Sequence, residues 1–308
     1  MEFFLPMEPI IREQVFDSED FTYQLKWDGV RMLAYCENGQ VNLINKRLNN
    51  RTAQYPELQM ITSLLHGRKV VLDGEIVAFK DSKPHFPAVM RRDNARTQKS
   101  ITMLLEEVPI SYIVFDLLWD EDKDLRARPL MERIQHLRDI LTPQASIHLI
   151  EDFPSGSSLF TAVQAANLEG IVAKRKTSSY LAGKKHRDWF KIKHRRRQSC
   201  VIGGYTLRNN TANSLLLGVY QGDSLYYVGR ASSGLSEGQL KELHSGLTSL
   251  QTDKVPFVSL PPKIVQESYF VMPVLVVEVE FAEWTENMHL RSPAIKGFLK
   301  IAPEQCRL

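Results

Sequence analysis

The sequence is poor in cysteine. Its 308 residues include three, Cys36, Cys200 and Cys306, which lie far apart and form no Cys-x-x-Cys pair. This spacing argues against a zinc ribbon and against a disulfide framework. Reduced cysteines in a cytosolic protein are the expectation that follows.

Leader and membrane segments are also missing. The N-terminal stretch MEFFLPMEPIIREQ carries Glu2 and Glu8 and has no basic region, so it does not read as a signal peptide. The longest apolar run late in the chain begins at Val271 and ends before Glu278, which is far too short to span a membrane. These features predict a soluble protein of the cytoplasm with no membrane partner.

The common ligand loops are absent as well. Neither GxxxxGK nor GxGxxG occurs, so those two loops hold no nucleotide here. Asp120, Asp122 and Asp124 have the spacing of the first ligands of a calcium loop, but its sixth position is Leu125 and its twelfth is Met131. The segment therefore predicts an acidic loop and no calcium site.

Short apolar runs rich in β-branched and aromatic residues dominate the first part of the chain. They predict strands, and three helical patterns interrupt them, over 55–65, 129–141 and 158–167. This mixture predicts an α+β fold. The strand-like runs are YQLKW, RMLAYC, VNLI, KVVLDGEIVAF and ISYIVFDLLW.

A basic segment separates two parts of the chain. Eleven Lys or Arg residues and one acidic residue, Asp188, lie between Lys174 and Gln198. Beyond it, about five strand-like runs and a helix over 236–250 predict a small Greek-key barrel of the oligonucleotide-binding (OB) kind. The sequence thus predicts two domains, 1–196 and 197–308.

One lysine stands in an unusual place. Lys26 lies in QLKWDGVR, inside an apolar strand-like run and just before a turn. A lysine amine becomes a nucleophile if burial and nearby cations, such as Arg31, favour its neutral form. Taken alone, the pattern favours an exposed lysine at the end of a strand, because lysines are common on strand surfaces.

Two carboxylates and two lysines also stand in apolar strand-like runs. Glu75 in LDGEI and Glu169 in LEGIVAK are the kind of ligands that Mg²⁺ uses together with phosphate and water. Lys191 and Lys193 alternate with apolar residues in WFKIK, which places both on one face of a strand. Phe115, in VFDLLW, is either a core residue or a platform for a base. Each signal alone also fits an ordinary strand edge or turn.

Together and in this order, the motifs resemble those of the ATP-dependent DNA ligases. These belong to the nucleotidyltransferase superfamily, which also holds RNA ligases and mRNA capping enzymes. EGIVAK and EWTENMHLRSP look especially like the ligase module of bacterial end-joining ligases. The resemblance implies a nucleotidyltransferase domain of antiparallel, ATP-grasp-like sheets with helices, followed by an OB-fold barrel. The motifs that carry it are KWDGVR, NKR at 45–47, LDGE, VFDLLW, LEGIVAK and WFKIK.

The resemblance implies roles for individual residues. Lys26 would take AMP as a phosphoramide, Glu169 would bind metal, and Glu75 would bind ribose or metal. Phe115 would stack on adenine, and Lys185, or Arg187 if the alignment slips, would occupy a position where the family often has arginine. The residues that would contact ATP or AMP are Gln24, Leu25, Lys26, Arg31, Arg47, Glu75, Phe115, Lys185, Lys191 and Lys193.

The implied activity is the sealing of nicks between a 3′-OH and a 5′-phosphate during DNA repair. Its cofactors would be ATP and Mg²⁺ or Mn²⁺, and its substrate nicked double-stranded DNA. The basic segment would supply charge for the DNA backbone, with salt-dependent and sequence-independent binding. We further expect a monomer near the nucleoid, with a Ku-like end-binding protein or a fused polymerase or other domain as partner.

The sequence departs from the family pattern in three places. Gln24 stands where the family often has a glutamate that helps to select adenine. The C-terminal Arg-x-Asp-Lys element is replaced by Phe-Leu-Lys-Ile-Ala at 298–302, where Lys300 is the remaining cation, and this predicts self-adenylation that is slow relative to sealing of a pre-adenylated nick. Lys26 lies so early that an N-terminal DNA-clamping domain is not expected.

Two alternatives remain open on sequence alone. One is an RNA ligase or a capping-type guanylyltransferase, because contacts to a 2′-OH cannot be read from sequence. The other is a catalytically impaired nucleic-acid-binding protein, which the altered C-terminal element favours. The joint presence of Lys26, Glu75, Glu169, Lys191 and Lys193 argues against the second alternative.

Overall fold

The computed structural model describes residues 1–285 and 287–308. Glu286, within the EWTENMHLRSP stretch, lies outside the described residues. The chain divides into two compact units, Met1–His194 and Arg195–Leu308. Among the described residues, no helix has the length and apolar character needed to cross a membrane.

The first unit is built on two sheets with short helices. Its helices are α1 Ile61–Leu64, α2 Phe86–Asp93, α3 Gln98–Glu107, α4 Leu130–Ile140 and α5 Gly156–Ala165, with 3₁₀ turns at Thr52–Gln54 and Pro56–Met60. Its strands are β1 Glu8–Ile11, β2 Phe21–Leu25, β3 Val30–Glu37, β4 Gln40–Asn45, β5 Val70–Lys80, β6 Lys83–Pro84, β7 Ile110–Asp120, β8 Lys123–Asp124, β9 Ile147–Leu149, β10 Gly170–Arg175 and β11 Lys185–Lys193.

The larger sheet holds the main core. Its strand order is β4-β3-β5-β7-β8, with β6 paired to β5 and β9 parallel to β7. β5 is buried along most of its length because its sequence, VVLDGEIVAFK, is apolar on both faces. Gly74 is required within β5, since an added Cβ would lie 2.6 Å from the ring of Tyr112. The centre of this sheet is therefore rigidly packed.

The smaller sheet of this unit has the order β1-β11-β10-β2. β10 runs antiparallel to both β2 and β11, and β1 runs parallel to β11. Apolar residues of these strands pack against α5 and form a second core around Tyr23, Ile171 and Ile192. The basic WFKIK motif thus lies on a central strand of this sheet, which the sequence did not indicate.

The second unit is a five-stranded antiparallel sheet with two helices. Its strand order is β14-β13-β12-β15-β16, and its core is centred on residues such as Leu217, Val277 and Phe281. The elements are β12 Arg196–Arg208, β13 Thr211–Gln221, β14 Ser224–Ala231, α6 Glu237–Ser249, α7 Pro262–Glu267, β15 Ser268–Phe281 and β16 Ala294–Leu299, followed by a 3₁₀ turn at Pro303–Gln305.

Most predicted helices are confirmed and one is wrong. The helices over 129–141, 158–167 and 236–250 are found as α4, α5 and α6, and a capping box of Ser236 and Gln239 begins α6. The segment 55–65 is not one regular helix. A 3₁₀ turn at Pro56–Met60 leads into a single turn of α-helix, because its buried residues pack in a short connection between β4 and β5.

Candidate active site

Strand pairing brings Lys26 and Glu169 to the same end of two neighbouring strands. β2 and β10 are antiparallel with Leu25 opposite Ile171, so Lys26 follows the end of β2 where Glu169 precedes the start of β10. The backbone N–H of Lys26 donates to the carbonyl oxygen of Gly170 at 3.0 Å. Two side chains that are distant in sequence therefore meet because of this register.

Gly170 lets the third strand approach the same point. Its φ is +153°, and an added Cβ would clash with the carbonyl oxygen of Ile192 on β11. Gly170 lies directly opposite Lys193 in the β10–β11 pairing. This close approach brings a second lysine beside Glu169.

We call Lys26, Glu75, Glu169, Lys191 and Lys193 the lysine–carboxylate cluster. Glu169 joins two of its lysines: Oε2 lies 2.7 Å from Lys26 Nζ and Oε1 lies 2.8 Å from Lys193 Nζ. These are charge-assisted hydrogen bonds of nearly ideal length. The carboxylate therefore fixes the position of the Lys26 amine.

The charges of the cluster shift the pKa values of its members. Burial lowers the pKa of Lys26, but the negative charges of Glu169 and Glu75 outweigh it, so the pKa is raised overall. Burial raises the pKa of Glu169, but Lys26 and Lys193 outweigh it, so this pKa is lowered. Burial and the neighbouring lysines lower the pKa of Lys191. The cluster rests with Lys26 as an ammonium and Glu169 as a carboxylate.

This state corrects one expectation from the sequence. Burial and the nearby cation Arg31 were expected to favour the neutral form of Lys26. The structure instead places Lys26 against Glu169, while Arg31 is engaged by Asp73. The attraction between opposite charges at contact distance outweighs desolvation, so the amine must lose its proton before it can attack a phosphorus atom.

Glu75 is the second carboxylate of the cluster and has a different environment. It lies on β5 opposite Arg31 of β3. No described residue donates a hydrogen bond to its carboxylate. Burial raises its pKa to about 7, against the lowering effects of Lys26 and Arg31. A shielded carboxylate without a hydrogen-bond donor is a place where a cation would be stabilised.

The donor set fits a divalent ion that keeps water and phosphate ligands. Glu169, in contact with Lys26, and Glu75, whose charge acts on Lys26, supply two carboxylates. Among the described residues, no group of three or more His, Cys, Asp or Glu side chains forms a complete protein cage. Mg²⁺ is commonly held by one or two carboxylates together with substrate phosphates, so the residues present suit it.

A cavity of about 490 Å³ opens beside the cluster, within the first unit. Its volume suits a nucleotide-sized ligand. Eight of the predicted site residues line it: Gln24, Leu25, Lys26, Arg31, Arg47, Glu75, Phe115 and Lys191. Trp27, Arg51, Phe86, Met90, Ile150, Val172, Lys174 and Trp189 are among its other lining residues.

The remaining predicted residues lie outside this lining. Glu169 contacts Lys26 directly, and Lys193 pairs with the other carboxylate oxygen of Glu169. Lys185 is exposed at the start of β11, where its amine lies 3.8 Å from Glu8, a cavity residue. A role of Lys185 in nucleotide contact therefore stays a prediction, at the edge of the cavity.

Arg31 is held rigidly at the cavity wall. Its Nε and one Nη atom donate to the two carboxylate oxygens of Asp73 at 2.9 and 2.6 Å. Asp73 is fully buried and also accepts from the Tyr180 hydroxyl at 2.7 Å. This fork-to-fork pair fixes the plane of the guanidinium. Neither Asp73 nor Tyr180 was predicted as a site residue.

We call Phe115, Lys174 and Trp189 the aromatic wall. The Lys174 amine lies 4.2 Å from the ring centroid of Phe115 and 4.2 Å from that of Trp189. The residue is 2% exposed and its amine has no hydrogen-bond partner among the described residues. Burial lowers the pKa of Lys174 to about 8, against the opposing effects of Asp116 and Asp73. Contacts with the ring faces stabilise the remaining charge.

The basic segment does not form a single surface. Lys174 is buried, Lys193 pairs with Glu169, and Arg197 pairs with Glu278 at 3.1 Å. Lys184, Lys185 and Arg187 are its exposed cations on the first unit. The sequence predicted the charge of this segment correctly but not its division between internal ion pairs and solvent.

Comparison with known proteins agrees with this arrangement. The family model described as "ATP dependent DNA ligase domain" matches residues 7–193, and the one described as "ATP dependent DNA ligase C terminal region" matches residues 208–300. The chain belongs to the ATP-dependent DNA ligase family. The first match spans the whole cluster and every cavity-lining residue except Pro6, and the second lies within the five-stranded unit.

Relatives within this family include bacterial end-joining proteins. The chain is 32% identical over 287 residues to the multifunctional non-homologous end joining protein LigD of Mycobacterium bovis, covering 91% of this chain and 36% of LigD. It is 33% identical over 230 residues to DNA ligase C of Mycobacterium tuberculosis, covering 71% of this chain and 63% of that protein. The chain thus spans about a third of the length of the LigD relatives.

A solved ligase structure has the same architecture. The ligase domain of M. tuberculosis LigD matches with a TM-score of 0.57 and 29% identity, over 99% of both chains. This match confirms the predicted fold, a nucleotidyltransferase unit followed by an OB-fold unit. The family predicted from the motifs is likewise confirmed, in preference to the RNA ligases and capping enzymes.

Proposed function

We propose that this chain seals nicks in double-stranded DNA through a covalent lysyl-AMP intermediate on Lys26. One observation carries the proposal. The Lys26 amine lines a nucleotide-sized cavity and is held 2.7 Å from Glu169, beside Glu75 and Lys191. A positioned amine among carboxylates and cations is what in-line transfer of a nucleotidyl group requires.

The first step transfers AMP from ATP to the enzyme. The Lys26 ammonium releases one proton to water, while Glu169 Oε2, 2.7 Å away, stays ionised and holds the amine in place. The amine nitrogen then bonds to the α-phosphorus and loses a second proton to water, the bond from that phosphorus to the bridging oxygen breaks, and pyrophosphate leaves. Lys191 offsets the negative charge that gathers on the phosphate oxygens.

Two further transfers complete the reaction. An oxygen of the 5′-phosphate at the nick bonds to the AMP phosphorus, and the bond to Lys26 nitrogen breaks as that nitrogen takes up a proton from water, which gives DNA-adenylate and a free amine. The 3′-hydroxyl then loses its proton and bonds to the 5′-phosphorus, and AMP leaves. The rigid guanidinium of Arg31 is placed to bind phosphate in these steps.

Glu75 and Glu169 would hold Mg²⁺ or Mn²⁺. When bound, the ion supplies positive charge that neutralises the phosphate oxygens of ATP. The contribution of the chain is to supply two carboxylates near Lys26 and to leave the other coordination positions for water and phosphate. The resting contact between Glu169 and Lys26 keeps the carboxylate ionised, as metal binding requires.

The biological setting is proposed from the relatives. A role in end joining is supported by the resemblance to LigD, whose name carries that process. Nicked double-stranded DNA is the substrate, and a Ku-like end-binding protein or a fused domain would recruit the chain to it. We further propose that it acts as a monomer in the cytoplasm, near the nucleoid.

The C-terminal departure bears on the first step. Leu299 packs into a core of the second unit, while Phe298 and Ile301 are exposed apolar residues. Lys300 is the one charged residue of 298–302, where the family pattern has arginine, aspartate and lysine. Self-adenylation is therefore proposed to be slower than the sealing of a pre-adenylated nick, and comparable rates would contradict this.

A label-transfer experiment tests the proposed function. The protein and its Lys26→Ala variant are incubated with Mg²⁺ and α-labelled ATP, and nicked DNA is then added. We expect covalent label on the wild type alone, which is then chased into sealed DNA. Sealing of nicks by Lys26→Ala from ATP would contradict the proposal, as would sealing of RNA nicks in preference to DNA nicks.

A further inference from the structure

The side chain that precedes the nucleophile by two residues is held by a carboxylate. Gln24 is 2% exposed and lines the cavity. Its Nε2 donates to Asp152 Oδ1 at 2.9 Å. Asp152 also accepts from the Thr22 hydroxyl at 3.0 Å and from Arg138 at 2.7 Å. The amide is thus one member of a network that crosses from β2 to the loop after β9.

This network determines which end of the amide faces the ligand. A carboxylate can only accept hydrogen bonds, so only the NH₂ end of Gln24 can face Asp152. The reverse orientation would set the amide oxygen against a carboxylate oxygen. Arg138 stabilises the negative charge of Asp152, which strengthens this preference. No described residue donates to Gln24 Oε1, so the carbonyl oxygen is left for a ligand in the cavity.

The surrounding cavity suits a flat base. Val172 lies opposite Gln24 in the β2–β10 pairing, and Phe115, Ile150 and Trp189 add apolar and aromatic surface. A hydrogen-bond acceptor at this position distinguishes two purines. The 6-amino group of adenine donates a hydrogen bond, whereas the 6-oxo group of guanine accepts one. A freely rotating glutamine would serve either base.

We propose that Asp152 is a positioning residue that makes Gln24 select ATP over GTP. By engaging Nε2, it turns the NH₂ end of the amide toward itself and leaves the carbonyl oxygen to face the base, as a carboxylate oxygen of glutamate would without assistance. The carbonyl oxygen then pairs with adenine and repels guanine. This inference rests on the proposed function in taking ATP as the nucleotide.

One hydrogen-bond donor near this network opposes the selection of adenine. Lys174 lies opposite Thr22 in the β2–β10 pairing and lines the cavity. Its amine sits on the rings of Phe115 and Trp189 and makes no described hydrogen bond. A donor there favours an acceptor such as the guanine oxygen, so it works against selection of adenine by Gln24.

Equilibrium binding of ATP and GTP, measured by calorimetry on the full chain, tests the proposal. We expect the wild type to bind ATP more tightly and the Asp152→Asn variant to lose about tenfold in the ATP-to-GTP ratio of affinities, because one buried hydrogen bond is exchanged. An asparagine can donate to the amide oxygen and so permits the reverse orientation. Asp139→Asn, on the exposed face of α4, is the matched control.

The double variant Asp152→Asn/Gln24→Glu separates positioning from packing. Both oxygens of a glutamate accept, so the double variant should recover the preference for ATP without Asp152. A folded Asp152→Asn with an unchanged ratio would overturn the proposal. A loss shared equally by both nucleotides, or a double variant that stays unselective, would also overturn it. If Asp152→Asn does not fold, Gln24→Leu, which has no acceptor to offer the base, should lose the preference for ATP, and a preference kept by that variant would overturn the proposal.

The two failures are distinguishable. If the wild type forms no covalent lysyl-nucleotide but still binds ATP and GTP with the expected ratios across the variants, the proposed function fails and the inference stands. If the wild type is labelled from ATP while Asp152→Asn keeps full discrimination, the inference fails and the proposed function stands.

Discussion

Two lysines reach the same cavity, and their surroundings differ completely. Lys26 belongs to the lysine–carboxylate cluster, where Glu169 lies 2.7 Å from its amine and the carboxylates raise its pKa. Lys174 belongs to the aromatic wall, where two rings contact its amine and burial lowers its pKa to about 8. The same side chain thus has a raised pKa at one end of the cavity and a lowered pKa at the other.

The comparison shows that burial alone does not make a reactive lysine. Lys174 is the more buried and the less basic of the two, yet it faces aromatic carbon and has no carboxylate to aim it. Lys26 is aimed by Glu169 and must be deprotonated during the reaction. The nucleophile is therefore distinguished by its position relative to the phosphates more than by a low resting pKa.

The largest effect is expected from removing the carboxylate that aims Lys26. Glu169→Gln should lower the rate of covalent labelling from ATP about 1,000-fold, because the variant loses both the ion pair and a metal ligand. Single-turnover labelling measures this rate. Glu151→Gln, an exposed glutamate, should match the wild type. A fall of less than tenfold in Glu169→Gln would show that the cluster does not aim the amine.

The second effect concerns the pair that fixes Arg31. Arg31→Met leaves the fully buried Asp73 without its cationic partner and should lower the free energy of unfolding by about 3 kcal/mol. Arg91→Met removes a similar contact with Glu107 at the surface and should cost at most about 0.5 kcal/mol. Urea unfolding measures both. Equal costs would mean that burial of Asp73 is not what makes its pair with Arg31 matter.

The third effect tests the aromatic wall as a platform. Phe115→Leu keeps an apolar side chain but removes the ring, so the KM for ATP should rise about tenfold with little change in stability. Phe3→Leu, an exposed ring away from the cavity, is the control. An unchanged KM would make Phe115 a core residue, the alternative that the sequence left open.

The smallest effect concerns Lys174 and depends on pH. Its pKa is about 8 in the folded chain and 10.5 ordinarily, so the unfolded chain binds more protons between these values. This group therefore makes stability rise with pH over that window. Lys174→Met should be more stable than the wild type at pH 7, by about 1 kcal/mol, and should lose that rise.

Urea unfolding of Lys174→Met at pH 7 and at higher pH checks this. The advantage of the variant should shrink as pH approaches 10.5. Lys99→Met, at an exposed site, should track the wild type at both pH values. A variant that is less stable than the wild type at pH 7 would show that the contacts with Phe115 and Trp189 outweigh the cost of burying the charge.

The sequence predicted the residues of the cluster because each stands in a recognisable motif within or beside a strand. It could not predict the protonation state of Lys26, because the partner that decides it, Glu169, lies 143 positions away in sequence. Lys174 is the last residue of LEGIVAK and ends an apolar run, but the two rings that it contacts lie on two other strands, β7 and β11. The sequence therefore indicated which residues belong to the site, but not the neighbouring side chains that set their protonation states.

The helices near the cavity show the same limit. α2 contributes Phe86, Met90 and Asp93 to the lining, yet it is short and rich in charge and was not predicted. A signal for α3 was present, since Thr97 and Ser100 form a capping box. Asp152 carries no motif at all. Only the fold brings it to Gln24, so sequence reasoning had no means to find it.

Peptide mapping of the labelled protein tests whether Lys26 is the nucleophile. The wild type is incubated with ATP and Mg²⁺, digested, and searched by mass spectrometry for a lysine that carries AMP. We expect AMP on Lys26 alone. AMP on Lys174, Lys191 or Lys193, or AMP distributed among them, would contradict the claim that Glu169 selects the nucleophile by aiming it.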